Sequence, residues 1–148
     1  NMLRDDQERR RQDLLLQTVK TLTPVRLQAY ERVVLFLERI FPESLIIRTA
    51  RPEMTAQQLQ AALVTAVRSE YEHNLSQQIY MSSEAWEMVK NARGTIVRLI
   101  NSVASQLPPA ATGEELSRLL LEEVVEMETE PTRTAIAYIK SELARIMG

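Results

Sequence analysis

The clearest helical pattern in the chain is residues 82–107, SSEAWEMVKNARGTIVRLINSVASQL. Apolar side chains alternate there at spacings of four and three, which places them on one face of an α-helix. The pattern crosses Gly94 without a change of phase, although a glycine inside a helix costs about 1 kcal/mol relative to alanine. We therefore predict one central helix that begins at Ser82 or Ser83 and ends at Leu107, before two prolines. Its apolar face comprises Ala85, Val89, Ala92, Ile96, Leu99 and Val103.

Helix start signals flank this segment on both sides. Two capping boxes, in which a threonine is followed three residues later by Gln or Glu, begin at Thr55 and Thr112. Thr23-Pro24 is typical of another start, with Thr23 as N-cap and Pro24 at the first helical position. Pro131 starts the last helix. The predicted helices besides the central one are residues 3–22, 24–41, 55 to at least 74, 112–127 and 131–147.

One segment does not fit a helix. Residues 44–50, SLIIRTA, are rich in β-branched side chains, are too short for a typical helix and are followed by Pro52. We predict an extended connector or a short strand there. The sequence therefore predicts an all-α fold, with about six helices in a bundle and one short extended connector at residues 44–50.

The composition limits both the size of the domain and the kinds of site it can hold. A chain of 148 residues is long enough to bury roughly 70% of its unfolded surface as one domain. We interpret Asn1 as a remnant of a tag, residues 1–13 as a charged stalk and residues 14–148 as a single helical domain. The absence of cysteine excludes disulfides and thiolate metal sites. Three isolated glycines exclude glycine-rich phosphate loops, and a net charge of −2 argues against nucleic-acid binding.

Several predicted helices carry apolar surface that a single chain has few ways to cover. The helix at residues 24–41 is apolar around about half of its circumference, which is wider than a surface helix needs. The helices at residues 3–22 and 131–147 carry narrow apolar stripes, which suit the periphery or a coiled-coil-like seam. We therefore predict a two-fold homodimer, the commonest symmetric assembly. The candidate interface residues are Leu35, which stands alone on a charged face, Phe36 and Ile40.

A polar patch interrupts the apolar stripe of the helix at residues 55–74. Glu70 and Asn74 continue the stripe, and His73 lies beside them. A buried carboxylate needs a partner, or its pKa rises until the group is neutral. One interpretation is a ligand pocket; the other is that Glu70 pairs with an arginine or lysine at the rim while Asn74 caps the helix. The candidate ligand-binding residues are Glu70, His73, Asn74, Gln77 and Trp86, with Tyr80 nearby.

The same helix supplies the one candidate for metal chemistry. Glu70-x-x-His73 is half of the motif that di-iron helical bundles use, but those sites need two such motifs and two further glutamates. With a single histidine, one protomer cannot complete such a site. No serine lies in a glycine-flanked nucleophile context, and paired acidic residues lie at helix starts or on solvated faces. We therefore predict a non-enzymatic protein with no catalytic residue, no metal and no cofactor.

Two segments resemble a family of uncharacterised proteins from the Bacteroidota: Glu70–Ala92 (EYEHNLSQQIYMSSEAWEMVKNA) and Thr23–Ile40 (TPVRLQAYERVVLFLERI). The resemblance extends from about Leu14 to the C-terminus. It implies a parent protein with an N-terminal transmembrane helix, a charged stalk and a soluble helical domain. The cluster Arg9–Arg11 fits the basic cytoplasmic flank of such a span. Since the chain itself holds no run of about 18 apolar residues, we expect a span of about 20 residues upstream of Met2.

These observations together predict the cytoplasmic interaction or scaffolding domain of a bacterial protein anchored in the inner membrane. The expected partners are a second copy of the chain and an unidentified protein, with no nucleic acid, and with membrane contact only through the upstream segment. The alternative is a helical domain that binds a small ligand or metal at a polar site around Glu70 and His73. The two hypotheses differ in whether the Glu70 carboxylate is partnered, or faces an open cavity beside His73 and Trp86.

Overall fold

The computed structural model describes residues 1–148 and consists of helices joined by short turns. With 84% of the residues helical and no strand, the predicted all-α class is confirmed. A 3₁₀ helix at Leu75–Tyr80 connects α3 to α4, so seven helical elements are present rather than about six. The six α-helices are α1 (Met2–Ile40), α2 (Pro42–Thr49), α3 (Ala56–His73), α4 (Ser83–Ser105), α5 (Gly113–Glu126) and α6 (Pro131–Met147).

The predicted break at Thr23-Pro24 is wrong, because α1 continues through Pro24 for 39 residues. Proline has no N–H, so the helix lacks one backbone hydrogen bond there. The Thr23 hydroxyl donates to the carbonyl of Val19 at 2.7 Å, a bond within the helix rather than an N-cap bond. Starting a new helix is costly, whereas each added residue of an existing helix contributes a further bond. Continuing α1 through Pro24 therefore costs less free energy than ending it and starting a second helix.

The extended connector predicted for residues 44–50 is also wrong, because residues 42–49 form α2. Pro42 occupies the first helical turn, and Phe41 before it has extended backbone angles (φ −57°, ψ 131°). Leu45 and Ile46 are buried, whereas Ile47 is 75% exposed. An alternating strand would bury Leu45 and Ile47 on the same face. The weak preference of β-branched residues for strands is therefore overridden by packing.

The predicted N-caps are present and position the ends of three helices. The Thr55 hydroxyl accepts a hydrogen bond from the Gln58 N–H, and the Gln58 side chain accepts one from the Thr55 N–H, which completes the capping box. The Ser82 and Thr112 side chains accept hydrogen bonds from the Ala85 and Glu115 N–H groups and so cap α4 and α5. The Glu115 side chain does not return the bond, so the capping box predicted at Thr112 is only half formed. The starts of α3 and α5 also pair through an isolated antiparallel bridge between Thr55 and Thr112.

The core forms around α4, as its regular apolar face predicts. This helix packs against α1, α3, α5 and α6, four of the other five α-helices. The second half of α1 covers another large part of the core, which accounts for its wide apolar face without a partner chain. The buried residues of α4 are Ala85, Trp86, Val89, Ala92, Ile96, Ile100 and Val103.

The helix α6 is part of this core rather than peripheral. It packs on α4 and α1, and Ala135 and Ile139 are fully buried. The apolar stripe looked narrow because small or polar residues complete the buried face: Thr132 and Glu142 are also buried. Counting only the large apolar residues of α6 therefore underestimates how much of its surface packs on α4 and α1.

The first half of α1 has a different environment. Every residue from 1 to 22 is exposed, and reduced exposure begins at Thr23. The helix is continuous across residues 13 and 14, so the packed part of the chain begins later than the predicted boundary at Leu14. At about 1.5 Å per residue, the exposed segment extends about 30 Å along the helix axis. None of the helices is both long and apolar enough for a membrane span.

Candidate functional site

Glu70 is held by two arginines from different helices. Its Oε1 accepts hydrogen bonds from Arg39 Nε at 2.8 Å and from Arg48 Nη2 at 3.2 Å. Arg39 belongs to α1, Arg48 to α2 and Glu70 to α3, so the ion pairs connect these three helices. The hydrogen bond to Glu70 raises the pKa of Arg39 above its ordinary value. The carboxylate is thus partnered, as the structural interpretation of this residue expects.

One oxygen of this carboxylate nevertheless has no donor. Glu70 Oε2 is buried and makes no hydrogen bond. It lies at a groove of about 420 Å³ between α1 and α3, which we call the Glu70 groove. His73 and Asn74 line the same groove, and the Asn74 side chain donates to the Glu70 carbonyl at 2.8 Å. Asn74 also ends α3, as expected of a cap.

The remaining candidates for this site lie elsewhere. Gln77 belongs to the 3₁₀ helix and does not line the Glu70 groove. Trp86 is buried on α4, where its ring stacks on Tyr71 with centroids 5.7 Å apart. The structure therefore brings Glu70, His73 and Asn74 together in the groove, whereas Gln77, which hydrogen-bonds to Asn74 only through the backbone, and Trp86 lie outside its lining. Trp86 does not form a wall of the Glu70 groove.

The Glu70 groove has the wrong composition for a metal site. No three His, Asp or Glu side chains lie close enough to share an ion anywhere in the structure. Glu70 already neutralises part of the charge of Arg39 and Arg48, and Arg32 adds a further positive charge to the lining. A cation would have to compete with these guanidinium groups.

The three candidate interface residues divide into one exposed and two buried side chains. Leu35 is 58% exposed and lines both the Glu70 groove and a second groove of about 330 Å³ between α1 and α6. Phe36 and Ile40 are 2% and 0% exposed because α1 buries them in the core of its own protomer. Only Leu35 of the three is therefore available to a partner.

A buried polar cluster was missed by the sequence reasoning. Glu142 of α6 accepts a hydrogen bond from the Tyr30 hydroxyl at 2.7 Å and another from the Ser82 hydroxyl. Burial, and then the hydrogen bond and negative charge of Glu142, raise the pKa of Tyr30. Ser82 also caps α4 through the Ala85 N–H. The cluster joins α1, α4 and α6. In the sequence, only the position of Glu142, three residues after Ile139 on the apolar stripe, could have indicated a buried carboxylate.

The exposed half of α1 carries an apolar stripe of its own. Leu15, Val19 and Leu22, which we call the α1 seam, are 60%, 60% and 46% exposed. Their spacings of four and three place them within about 60° around the helix. Arg26 occupies the next position of the stripe, and beyond it the same spacing continues into residues that the bundle buries: Ala29, Val33, Phe36 and Ile40. The seam is therefore the continuation, outside the bundle, of the face that packs inside it.

Comparisons with known proteins support the resemblance to an uncharacterised family over nearly the whole chain. No curated protein and no solved structure shows significant similarity to it. Residues 1–146 match the family of unknown function DUF7935, and the chain belongs to that family.

Proposed function

We propose that the chain is a non-enzymatic interaction domain that forms a two-fold dimer through the α1 seam. The observation that carries this proposal is the run of 22 exposed helical residues with Leu15, Val19 and Leu22 on one face. Most helices in proteins gain their stability from packing an amphipathic face, and here that face has no partner within the protomer. A second copy supplies the same face, so the contact is isologous.

A parallel pair suits the residue types of the seam. If Leu15 and Leu22 occupy d positions of a heptad, Val19 occupies the a position between them. A β-branched residue at a with leucine at d favours two strands. A parallel pair also places the two N-termini side by side and leaves both bundles at the other end.

The seam is short, so the dimer is expected to be weak. Burying the exposed parts of six Leu and Val side chains, three from each copy, contributes about 6–9 kcal/mol in all. Association costs about 4–15 kcal/mol of translational and rotational freedom. The preformed helix keeps the ordering part of that cost low. Near the low end of the cost the net free energy of association is no more favourable than about −5 kcal/mol, so we expect a dissociation constant of a few tenths of a millimolar.

Sedimentation equilibrium over a concentration series tests this assignment. The wild-type mass is expected to rise from one protomer toward two between about 10 µM and about 1 mM. The double variant Leu15→Glu/Leu22→Glu is expected to remain monomeric, because charges replace the apolar contact. The matched control Gln17→Glu/Thr21→Glu adds the same charge outside the seam and is expected to dimerise. A wild-type monomer at the highest concentration would refute the dimer.

We also propose that this domain acts as a cytoplasmic scaffold for a protein anchored in the inner bacterial membrane. The basic cluster Arg9–Arg11 and the parallel N-termini of the proposed dimer support this location. Fractionation of cells that express the native full-length protein is the test. The protein is expected in the inner-membrane fraction, with an apolar span of about 20 residues upstream of Met2. A native reading frame that starts at Met2 and a protein found in the soluble fraction would contradict this proposal.

A second candidate function is binding of a small ligand at the Glu70 groove. The specific observation in its favour is the buried Glu70 Oε2 without a donor, beside His73. A ligand with a hydrogen-bond donor would satisfy that oxygen. Native mass spectrometry of the purified protein and of the His73→Ala variant tests this idea. A bound molecule that is retained by the wild type and lost from the variant would support it, whereas ligand-free protein in both would contradict it.

A further inference from the structure

A third groove, of about 550 Å³, lies between α3 and α4 and is lined by three arginines. Arg68 comes from α3, and Arg93 and Arg98 come from α4. None of the three forms an ion pair with a carboxylate within 4.0 Å. Glu72 lines the groove without pairing and leaves a local excess of positive charge. This contrasts with the Glu70 groove, where a carboxylate engages the arginines directly. We call this groove between α3 and α4 the arginine groove.

Arg93 is fixed in position by an aromatic stack that reaches into the core. Its guanidinium lies 4.1 Å from the centroid of the Tyr71 ring, a distance typical of a cation–π contact. Tyr71 is itself buried and contacts the rings of Trp86 at 5.7 Å and Phe36 at 6.0 Å. A guanidinium that already stacks on a buried ring loses less conformational entropy when it binds a ligand than a free surface side chain does. The arginine groove therefore has one preorganised cation.

Gly94 leaves room for the second arginine of α4, Arg98. A Cβ atom at Gly94 would lie 3.1 Å from Nη1 of Arg98, which is tighter than ordinary contact. The missing side chain thus lets the Arg98 guanidinium fold back along the helix, where Nη2 also donates to Thr95 Oγ1 at 3.2 Å. A glycine in this position costs about 1 kcal/mol of helix stability. The conformation that it permits directs the charge of Arg98 toward the groove.

We propose that the arginine groove binds a phosphate group carried by a small organic molecule or a lipid. Guanidinium groups donate paired N–H bonds that match phosphate oxygens, and Arg is preferred where such bidentate contacts matter. The volume of about 550 Å³ suits a small ligand. Leu75 and Val97 line the same groove and supply an apolar wall for the organic part. A free phosphorylated compound and an anionic lipid headgroup present the same chemistry.

Trp86 provides an intrinsic readout, because it is the only tryptophan and stacks on the ring that carries Arg93. Fluorescence titrations with inorganic phosphate, at constant ionic strength, are expected to saturate. The double variant Arg68→Gln/Arg98→Gln removes two exposed cations and is expected to bind about tenfold or more weakly. The control Lys140→Gln/Arg145→Gln removes the same charge from α6 and is expected to bind like the wild type. Circular dichroism verifies that both variants remain folded.

A further variant tests whether phosphate binding depends on the geometry of the arginine side chains or only on their charge. The double variant Arg68→Lys/Arg98→Lys retains the charge but not the planar guanidinium groups, so phosphate binding is expected to weaken severalfold. If this variant binds phosphate like the wild type, charge alone is sufficient and the paired guanidinium contacts are refuted. Equal losses in the two glutamine double variants would show a general charge effect and overturn the site.

The source of the phosphate is distinguished by vesicles of phosphatidylglycerol, with phosphatidylcholine vesicles as the control. Binding to the anionic vesicles that depends on Arg68 and Arg98 identifies a lipid headgroup. Saturable binding of inorganic phosphate without a preference for anionic vesicles identifies a free phosphorylated ligand. No saturable binding of either probe refutes the proposal. None of these outcomes depends on dimerisation, since the arginine groove and the α1 seam share no residue.

Discussion

Replacing Tyr30 with phenylalanine tests the buried cluster that joins α1, α4 and α6. Tyr30 is 1% exposed, and its hydroxyl is one of two donors to the buried Glu142 carboxylate. Phenylalanine fills nearly the same volume but leaves Glu142 Oε2 without that donor. A hydrogen bond to a charged group contributes about 1.5–3 kcal/mol, so we expect a loss of about 2 kcal/mol. For a domain of this size that corresponds to a decrease in Tm of about 4–8 °C.

The same variant has a second, pH-dependent signature. The pKa of Tyr30 in the folded protein is raised above its ordinary value of 10.0, chiefly by burial and then by Glu142. Above pH 10 the unfolded tyrosine loses its proton while the folded one retains it, so the folded state binds more protons. The contribution of Tyr30 to stability is therefore complete below pH 10 and is lost as the pH rises toward the folded pKa. The difference between wild type and Tyr30→Phe is expected to shrink in that range.

Urea denaturation followed by circular dichroism, at about pH 7 and about pH 11, measures both effects. Tyr138→Phe is the control, because Tyr138 is only partly buried and its hydroxyl makes no hydrogen bond within the protein. We expect the control to change the free energy of unfolding by less than about 0.5 kcal/mol at pH 7. A Tyr30→Phe variant as stable as this control, or a stability difference that persists unchanged at high pH, would refute the assignment of the cluster.

Three further substitutions test other parts of the fold. Glu70→Gln is expected to cost about 1–2 kcal/mol by urea denaturation, since it weakens partly exposed ion pairs that connect three helices; an unchanged stability would show that the ion pairs contribute nothing. Gly113→Ala is expected to lower the Tm by several degrees, because its Cβ would lie 2.9 Å from the Met54 carbonyl oxygen, and a variant with the wild-type Tm would show that this close approach relaxes freely. In α2, Leu45→Ala is expected to cost about 2–5 kcal/mol and Ile47→Ala less than about 0.5 kcal/mol; similar losses at both positions would favour a strand over the helix.

Local signals in the sequence were sufficient for most of the helices and their starts. The N-caps at Thr55, Ser82 and Thr112 bond to N–H groups three residues away, so the interaction is complete within one turn. The apolar period of residues 82–107 predicted a central helix because the covered faces of α4 follow from its own side chains. The all-α class follows from such short-range features, which do not depend on the rest of the chain.

The candidate site shows where sequence reasoning was partial. Glu70 on an apolar stripe indicated that the carboxylate needs a partner, and the pattern alone left an arginine and a ligand as alternatives. Its partners Arg39 and Arg48 are 31 and 22 residues away in sequence. Tyr30 and Glu142 are 112 residues apart, so no local pattern indicates their contact. Only the packing of α1, α2, α3 and α6 determines these pairs.

The sequence by itself determined the helical class, the caps and the core face of α4, because each of these depends on interactions within a few residues. Only the tertiary structure decided that α1 continues through Pro24 and that residues 42–49 form α2. At residues 42–49 the preference of β-branched residues for a strand is weak, and burial of Leu45 and Ile46 against other helices outweighs it. At Pro24 the helix loses a backbone hydrogen bond, but extending an existing helix costs less than starting a new one, so α1 continues.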